Sequence, residues 1–172
     1  MKKRLPLFGV VAAVLGILAA ILCVMPAYVI ETTVISSTSS VSYSLFNLMF
    51  GCDVTVDNSG NPVASIGLII GFILLILAII AVLACAFLSA KKKNKKMNDV
   101  VTVLGFTAFA FFITAGILVF FALKMTGLSV GTVDFAIIKG KSSMGAGIYL
   151  VGIISIMAGL ISSLFAINKF IR

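Results

Sequence analysis

An all-α membrane protein is the fold class this sequence predicts: a four-transmembrane left-handed helix bundle with a small extracellular β element. Three observations predict it. Four stretches without a charged side chain, Leu5–Ile30, Asn58–Ala90, Val100–Leu123 and Ser142–Asn168, are each long enough to cross about 30 Å of hydrocarbon as a helix. Basic residues gather beside one set of ends of those stretches. Small residues recur at alternating three- and four-residue spacing, the period that keeps one helix face on a partner. Because lipid offers no water to backbone polar groups, such apolar runs point to helices. The chain of 172 residues, 62% hydrophobic, reads as one domain over residues 1–172. Spans are expected at about 5–29, 64–90, 100–123 and 144–167, outward loops at about 31–63 and 124–143, and a cytoplasmic loop at 91–99.

The first stretch carries the clearest seam, Gly9, Ala12, Gly16, Ala19 and Cys23, ending at Pro26. Its basic start resembles a signal peptide, but Leu5–Ala27 exceeds the 7–15 apolar residues of a signal core, and Met25-Pro26 replaces a small-x-small cleavage site. It is therefore expected to remain as a span. The following loop opens on Glu31–Ser44, rich in Thr, Val, Ser and Tyr, the composition of a strand with one polar face. Then comes an apolar patch, Leu45–Gly51, expected at the membrane interface or against the helix ends. Val54–Val56 reads as a short strand entering the turn Asp57–Pro62.

The second stretch offers Gly71, Ala78, Ala81 and Cys85 as its small face, and the third Gly105, Ala108, Ala115 and Ala122, both interrupted by larger residues. Thr132–Ile138 in the second outward loop is expected to add a strand. The fourth stretch is as regular as the first: Gly145, Ile148, Gly152, Ser155, Gly159, Ser162 and Ala166. Lipid tails are as apolar as Leu, so helices in a bilayer associate by close approach, which small residues permit. Gly9, Ala12, Gly16, Gly145, Gly152, Ser155, Gly159 and Ser162 are accordingly the expected packing positions. The second and fourth stretches also align with each other, Ser65 with Ser143, Gly67 with Gly145, Ile76 with Ile154 and Phe87 with Phe165, as two duplicated hairpins would.

Charge fixes the expected orientation. The formal net charge is +8. Lys2, Lys3, Arg4, Lys91, Lys92, Lys93, Lys95, Lys96, Lys169 and Arg172 fall on one side against Asp99 alone, while Lys124, Lys139 and Lys141 face Glu31, Asp53, Asp57 and Asp134 on the other. The positive-inside rule then predicts a multi-pass plasma-membrane protein with both termini cytoplasmic, and it accounts for the positive charge without nucleic acid.

Little in the chain suggests chemistry. With no His, Ser–His and Cys–His nucleophilic arrangements are excluded and a transition-metal site is not expected. The pair Asp53 and Asp57 reads as solvated loop charge or a weak calcium site. Of the three Cys, Cys23 and Cys85 lie inside spans as small packing residues, and Cys52 stands alone in the outward loop. The spans hold no ionisable residue, so a water-filled path through one copy is not expected. Neither an enzyme nor a cofactor or small-molecule substrate is predicted.

Apolar spans with inside termini, a longer strand-rich first outward loop and a short second one resemble the claudin-like tetraspan class in layout over the whole chain. That class carries a Trp-Gly-Leu-Trp element and paired Cys in the first loop, where this sequence has no Trp and only Cys52. The resemblance implies a shape, a left-handed bundle topped by a small sheet that mediates contacts. The Lys- and Ile-rich, Trp-free composition also resembles small four-span membrane proteins of low-GC bacteria.

The functional expectation is a non-enzymatic membrane protein that interacts or scaffolds through its outward loops and helix faces, with the bilayer and a membrane-protein partner, or itself, as contacts. Tyr43, Leu45, Phe46, Leu48, Met49 and Phe50 are the candidate contact surface. Packing of that patch on the protein's own rim is an equal alternative. A transporter accessory subunit or an oligomeric channel is the alternative function.

Overall fold

The computed structural model describes residues 5–34, 37–51, 65–90, 95–128, 130–135 and 138–170. Their elements run α1 (Leu5–Leu22), β1 (Pro26–Val34), β2 (Ser37–Ser44), α2 (Leu45–Phe50), α3 (Ile66–Ala90), α4 (Lys95–Phe120), α5 (Ala122–Thr126), β3 (Gly131–Phe135), β4 (Ile138–Met144) and α6 (Ala146–Phe170). The expected Val54–Val56 strand, Cys52, Asp53 and Asp57 lie outside the described residues, as do Lys91–Lys93.

Two findings overturn the expectation of an all-α, four-transmembrane bundle. Among the described residues three helices are long and apolar enough to cross a membrane, within Ile66–Ser89, Met97–Phe120 and Ala146–Asn168, and α1 is not one of them. At 18 residues, α1 rises about 27 Å, short of the ~20 residues that 30 Å of hydrocarbon requires. The β element is also no minor decoration: the hairpins Pro26–Ser44 and Gly131–Met144 join in one four-stranded antiparallel sheet of order β2-β1-β4-β3.

The physical reason lies between Leu22 and Pro26. The backbone N–H groups of Cys23, Val24 and Met25 donate to the carbonyls of Ala20, Ile21 and Leu22 at 3.3, 3.2 and 2.9 Å, a tightened last turn with bonds three residues back. Pro26 has no N–H to continue the ladder and biases Met25 away from helical angles. As the first residue of β1 it sits where a strand tolerates proline. Tyr28-Val29-Ile30 then continues as strand, and its apolar side chains make the charge-free stretch look longer than the helix within it. At the other end, α4 begins at Lys95, inside the expected 91–99 loop.

α1 packs on α3 and α6, and α4 packs on the same two helices. Gly9 faces Ala86 and Gly16 faces Ile79, so α1 runs antiparallel to α3; Gly105 faces Ala166 and Gly159 faces Phe112, so α4 runs antiparallel to α6. The helix ends near residues 5, 90, 95 and 170 therefore lie at one end and the sheet at the other.

The centre of the helical layer is the Phe112 ring, fully buried. A methyl group added at Gly16 would sit 2.8 Å from Phe112 Cζ and 2.7 Å from Ile79 Cγ1, and one at Gly159 would sit 3.2 Å from Phe112 Cβ. The Phe112 side chain of one helix thus fills space left by glycines of two others, its ring at Gly16 and its Cβ at Gly159. Further along α4, Phe120 uses Gly152 in the same way. Where α6 begins, the backbone around Gly145 and Gly147 lies against the carbonyls of Pro26 and Met25, and the Gly145 N–H donates to the Ala27 carbonyl at 2.8 Å. The root of β1 is thereby seated on the start of α6.

The sheet does not follow the hairpin duplication suggested by the helices. β1, the outgoing strand of the first half, is central, whereas β3, the outgoing strand of the second, is an edge.

Overpacking the glycine seat should be costly. Gly16→Ala is expected to destabilise by about 1–3 kcal/mol in denaturant titrations of detergent-solubilised protein. Trimming the ring with Phe112→Leu in the Gly16→Ala background should recover part of that loss. A strictly additive double mutant would contradict the coupling.

Candidate interaction surface

Function was expected at the outward loops and the helix faces, and none in the helix interior. Along α3, α4 and α6, every serine and threonine hydroxyl except one has a partner. Thr107 and Thr114 donate to the carbonyls of Val103 and Ala110 at 3.0 and 2.8 Å, one turn back on their own helix. Ser163 donates to Leu160 O at 2.8 Å. Ser162, buried, instead reaches across to Gly105 O of α4 at 3.0 Å, an interhelical bond. Ser155 Oγ, also buried, has no partner. Cys23 and Cys85 are buried free thiols, their Sγ atoms 3.5 Å from the Ala19 and Val101 carbonyls. Among the described residues no three His, Cys, Asp or Glu side chains come together as a metal would need.

All eight expected packing positions are buried. Gly9, Gly16, Gly145, Gly152 and Gly159 sit at the close approaches described above. Sequence reasoning missed the large residues in the same phase. Phe112 and Val119 continue the run Gly105, Ala108, Ala115 and Ala122 at three- and four-residue steps, and Leu68, Leu75 and Val82 do so for Gly71, Ala78 and Cys85. All of these are buried. What read as interruptions of a small-residue seam are the side chains that fill it. Gly116, a methyl on which would meet Gly152 O at 3.0 Å, was likewise overlooked.

At the sheet end, Tyr28 and Tyr43 occupy paired register positions and are buried together with Ala27 and Ile30. The sheet root therefore belongs to the core. Beyond it the strands emerge: β2 is exposed from Ser37 to Ser42. Paired residues share a face and alternate residues return to it, so Glu31, Ser40, Lys141 and Thr132 form one cross-strand row, and Thr33, Thr38, Lys139 and Asp134 the next on the same face. Acidic and basic residues thus stand in neighbouring positions. Val34 and Val41 lie on the opposite face, and both are exposed. Hydroxyls lace the strand ends: Thr33 Oγ1 and Thr38 Oγ1 lie 3.3 Å apart, and Ser142 Oγ accepts from Gly131 N at 3.0 Å.

The helix α2 follows β2 without a break because Ser44 caps it, its hydroxyl accepting from Asn47 N at 3.2 Å. Gly51 closes it at φ 98°, a region that other residues rarely adopt. The Ser65 N–H, one residue before α3, donates to Leu48 O at 3.1 Å and ties α2 to the head of that helix. Of the six candidate contact residues, Tyr43, Leu45, Leu48 and Met49 are buried in the protein's own core. Phe46 is half-buried, packed edge-on to Phe72 of α3 with ring centroids 5.2 Å apart. Only Phe50 is freely exposed, at 68%, stacked on Phe46 at 6.3 Å. A helical step of 100° puts Leu45, Leu48 and Met49 on one arc and the two Phe on its flank.

No family model and no curated protein matches this chain.

The two buried serines of α6 should respond oppositely to truncation. Ser162→Ala, which removes the bond to Gly105 O, is expected to lower unfolding free energy by about 1 kcal/mol in bicelles. Ser155→Ala, which removes an unpaired buried hydroxyl, should leave stability unchanged or raise it. Equal losses at both positions would show that Ser155 has a partner in the membrane.

Proposed function

We propose that this membrane-embedded protein is non-enzymatic and works by contact, holding another membrane protein or a second copy of itself through its sheet end and the outer faces of its helices. One observation carries the reading: the helix interior is filled with uncharged side chains around Phe112, while β2 stands exposed beyond the helices. Polar transport paths depend on ionisable groups or unwound backbone within the spans; Ile66–Ser89 and Ala146–Asn168 hold no Asp, Glu, Lys or Arg, and Met97–Phe120 holds only Asp99, in its first turn. A strand at the margin of a sheet leaves one side of its backbone for another chain to pair with, and Ser37–Ser44 contains none of the Lys or Pro residues that commonly block such pairing. The layout shared with the claudin-like class, apolar helices with a sheet at one end, supports the same reading.

The helix ends opposite the sheet carry most of the basic residues, which favours placing that end in the cytoplasm and the sheet outside. A plasma-membrane location follows from this reading.

The test replaces the exposed valines of the sheet. Val34→Lys combined with Val41→Lys should abolish partner recovery in a crosslinking pull-down while leaving membrane abundance unchanged. Undiminished recovery would overturn the assignment to the sheet, and ion flux in liposomes holding only this protein would overturn the contact reading.

A further inference from the structure

The sheet is not the only exposed feature at this end. α2 lies between the sheet and the head of α3 and carries no charged side chain. Its three exposures differ sharply around the helix. Leu45, Leu48 and Met49 face the protein core, Phe46 and Phe50, four residues apart, form a stacked pair on one flank, and Asn47 is exposed on the outer crest about 60° beyond Phe50. An exposed Phe pair on a water-washed surface would keep apolar area in contact with solvent at about 25 cal/mol per Å².

That pair does not stand alone. Phe46 packs on Phe72 of α3, and the first turns of α3 present Ile66, 77% exposed, and Ile70 to the outside. These isoleucines begin the outward surface of a helix long and apolar enough to cross a membrane. The hydrogen bond from Ser65 to Leu48 holds α2 at the level where that surface starts. Ile76, one turn beyond Phe72 on the same flank of α3, is also exposed, so the Phe pair is continuous with that lipid-facing surface.

We infer that α2 is an interfacial anchor, lying at the lipid–water boundary with Phe46 and Phe50 inserted among the acyl chains just beneath the headgroups. Its partner is the bilayer itself. Apolar flanks of short amphipathic helices enter the headgroup–acyl boundary in this manner, at a depth of about 5–10 Å. The anchor also sets the height of the sheet, since β2 runs directly into α2 through the Ser44 cap. Only the embedding of α3 is needed for this placement, so the sheet-variant pull-down and the test below can fail separately.

The chain contains no Trp, so a single substitution creates a single emitter. Full-length Phe50→Trp and Asn47→Trp are each reconstituted in phosphatidylcholine nanodiscs and excited selectively. Phe50→Trp is expected to emit to the blue of Asn47→Trp, and lipids brominated near the headgroup should quench it more than lipids brominated at the chain terminus. Water-like emission that brominated lipids do not quench would overturn the anchor. So would blue-shifted emission without quenching, which would mean that protein covers the ring. If Phe50→Trp is not recovered folded, Phe46→Trp reports on the same flank under the same criteria.

Discussion

A phenylalanine side chain lodged against two glycines, its ring on Gly16 and its Cβ on Gly159, organises this molecule. In water, burying Phe112 would be driven by the hydrophobic effect, but a helix leaving lipid for protein exchanges one apolar surrounding for another. What remains is the fit, a sum of many dispersion contacts that each fade within about 1 Å of added gap. Gly16 and Gly159 supply that fit, because any side chain at Gly16 would occupy the volume of the ring. The close approach of α1, α4 and α6 depends on it. The same device recurs where Phe120 meets Gly152 and where Met125 meets Gly67, alongside the small-on-small approaches of Gly9 to Ala86 and Gly105 to Ala166.

The periodicity of the helix faces was legible from the residues, because alternating three- and four-residue spacing is a property of one chain alone. Which large residues belong to the interior was not. Phe112 and Phe111 are neighbours of identical chemistry, yet only Phe112 is in phase with Ala108 and Ala115, and that phase is visible once the seam is drawn through large residues as well as small. The boundary of α1 was hidden for a different reason. Val24, Met25, Tyr28 and Ile30 are as apolar as the helix before them, and hydropathy does not distinguish a lipid-facing helix from a strand whose root is buried. Pro26 was the available signal, and its missing N–H decides the matter.

The candidate contact patch shows the same limit at smaller scale. Leu45–Phe50 reads from sequence as one apolar cluster with two open destinations. Its division depends on where α2 rests against Tyr28, Tyr43 and the head of α3, which is tertiary information. Leu45, Leu48 and Met49 serve the core, as Tyr43 before them does, and the aromatic flank is what is left over. The strand content of the first loop was apparent in its Thr, Val and Ser composition, but not that its partner across the sheet would be β4, from the far half of the chain.

That central pairing has a consequence for how the protein is made. Tyr28 stands opposite Met144 in the β1–β4 ladder, so one side of β1 finds its hydrogen-bond partners only after on the order of a hundred further residues have been synthesised. At ~5–20 residues per second, this leaves the strand waiting on the order of ten seconds beside a nascent chain. Throughout that interval β2 is the only neighbour in the sheet that has already been synthesised, and the inner margin of β1 must be kept from pairing with anything else until β4 arrives.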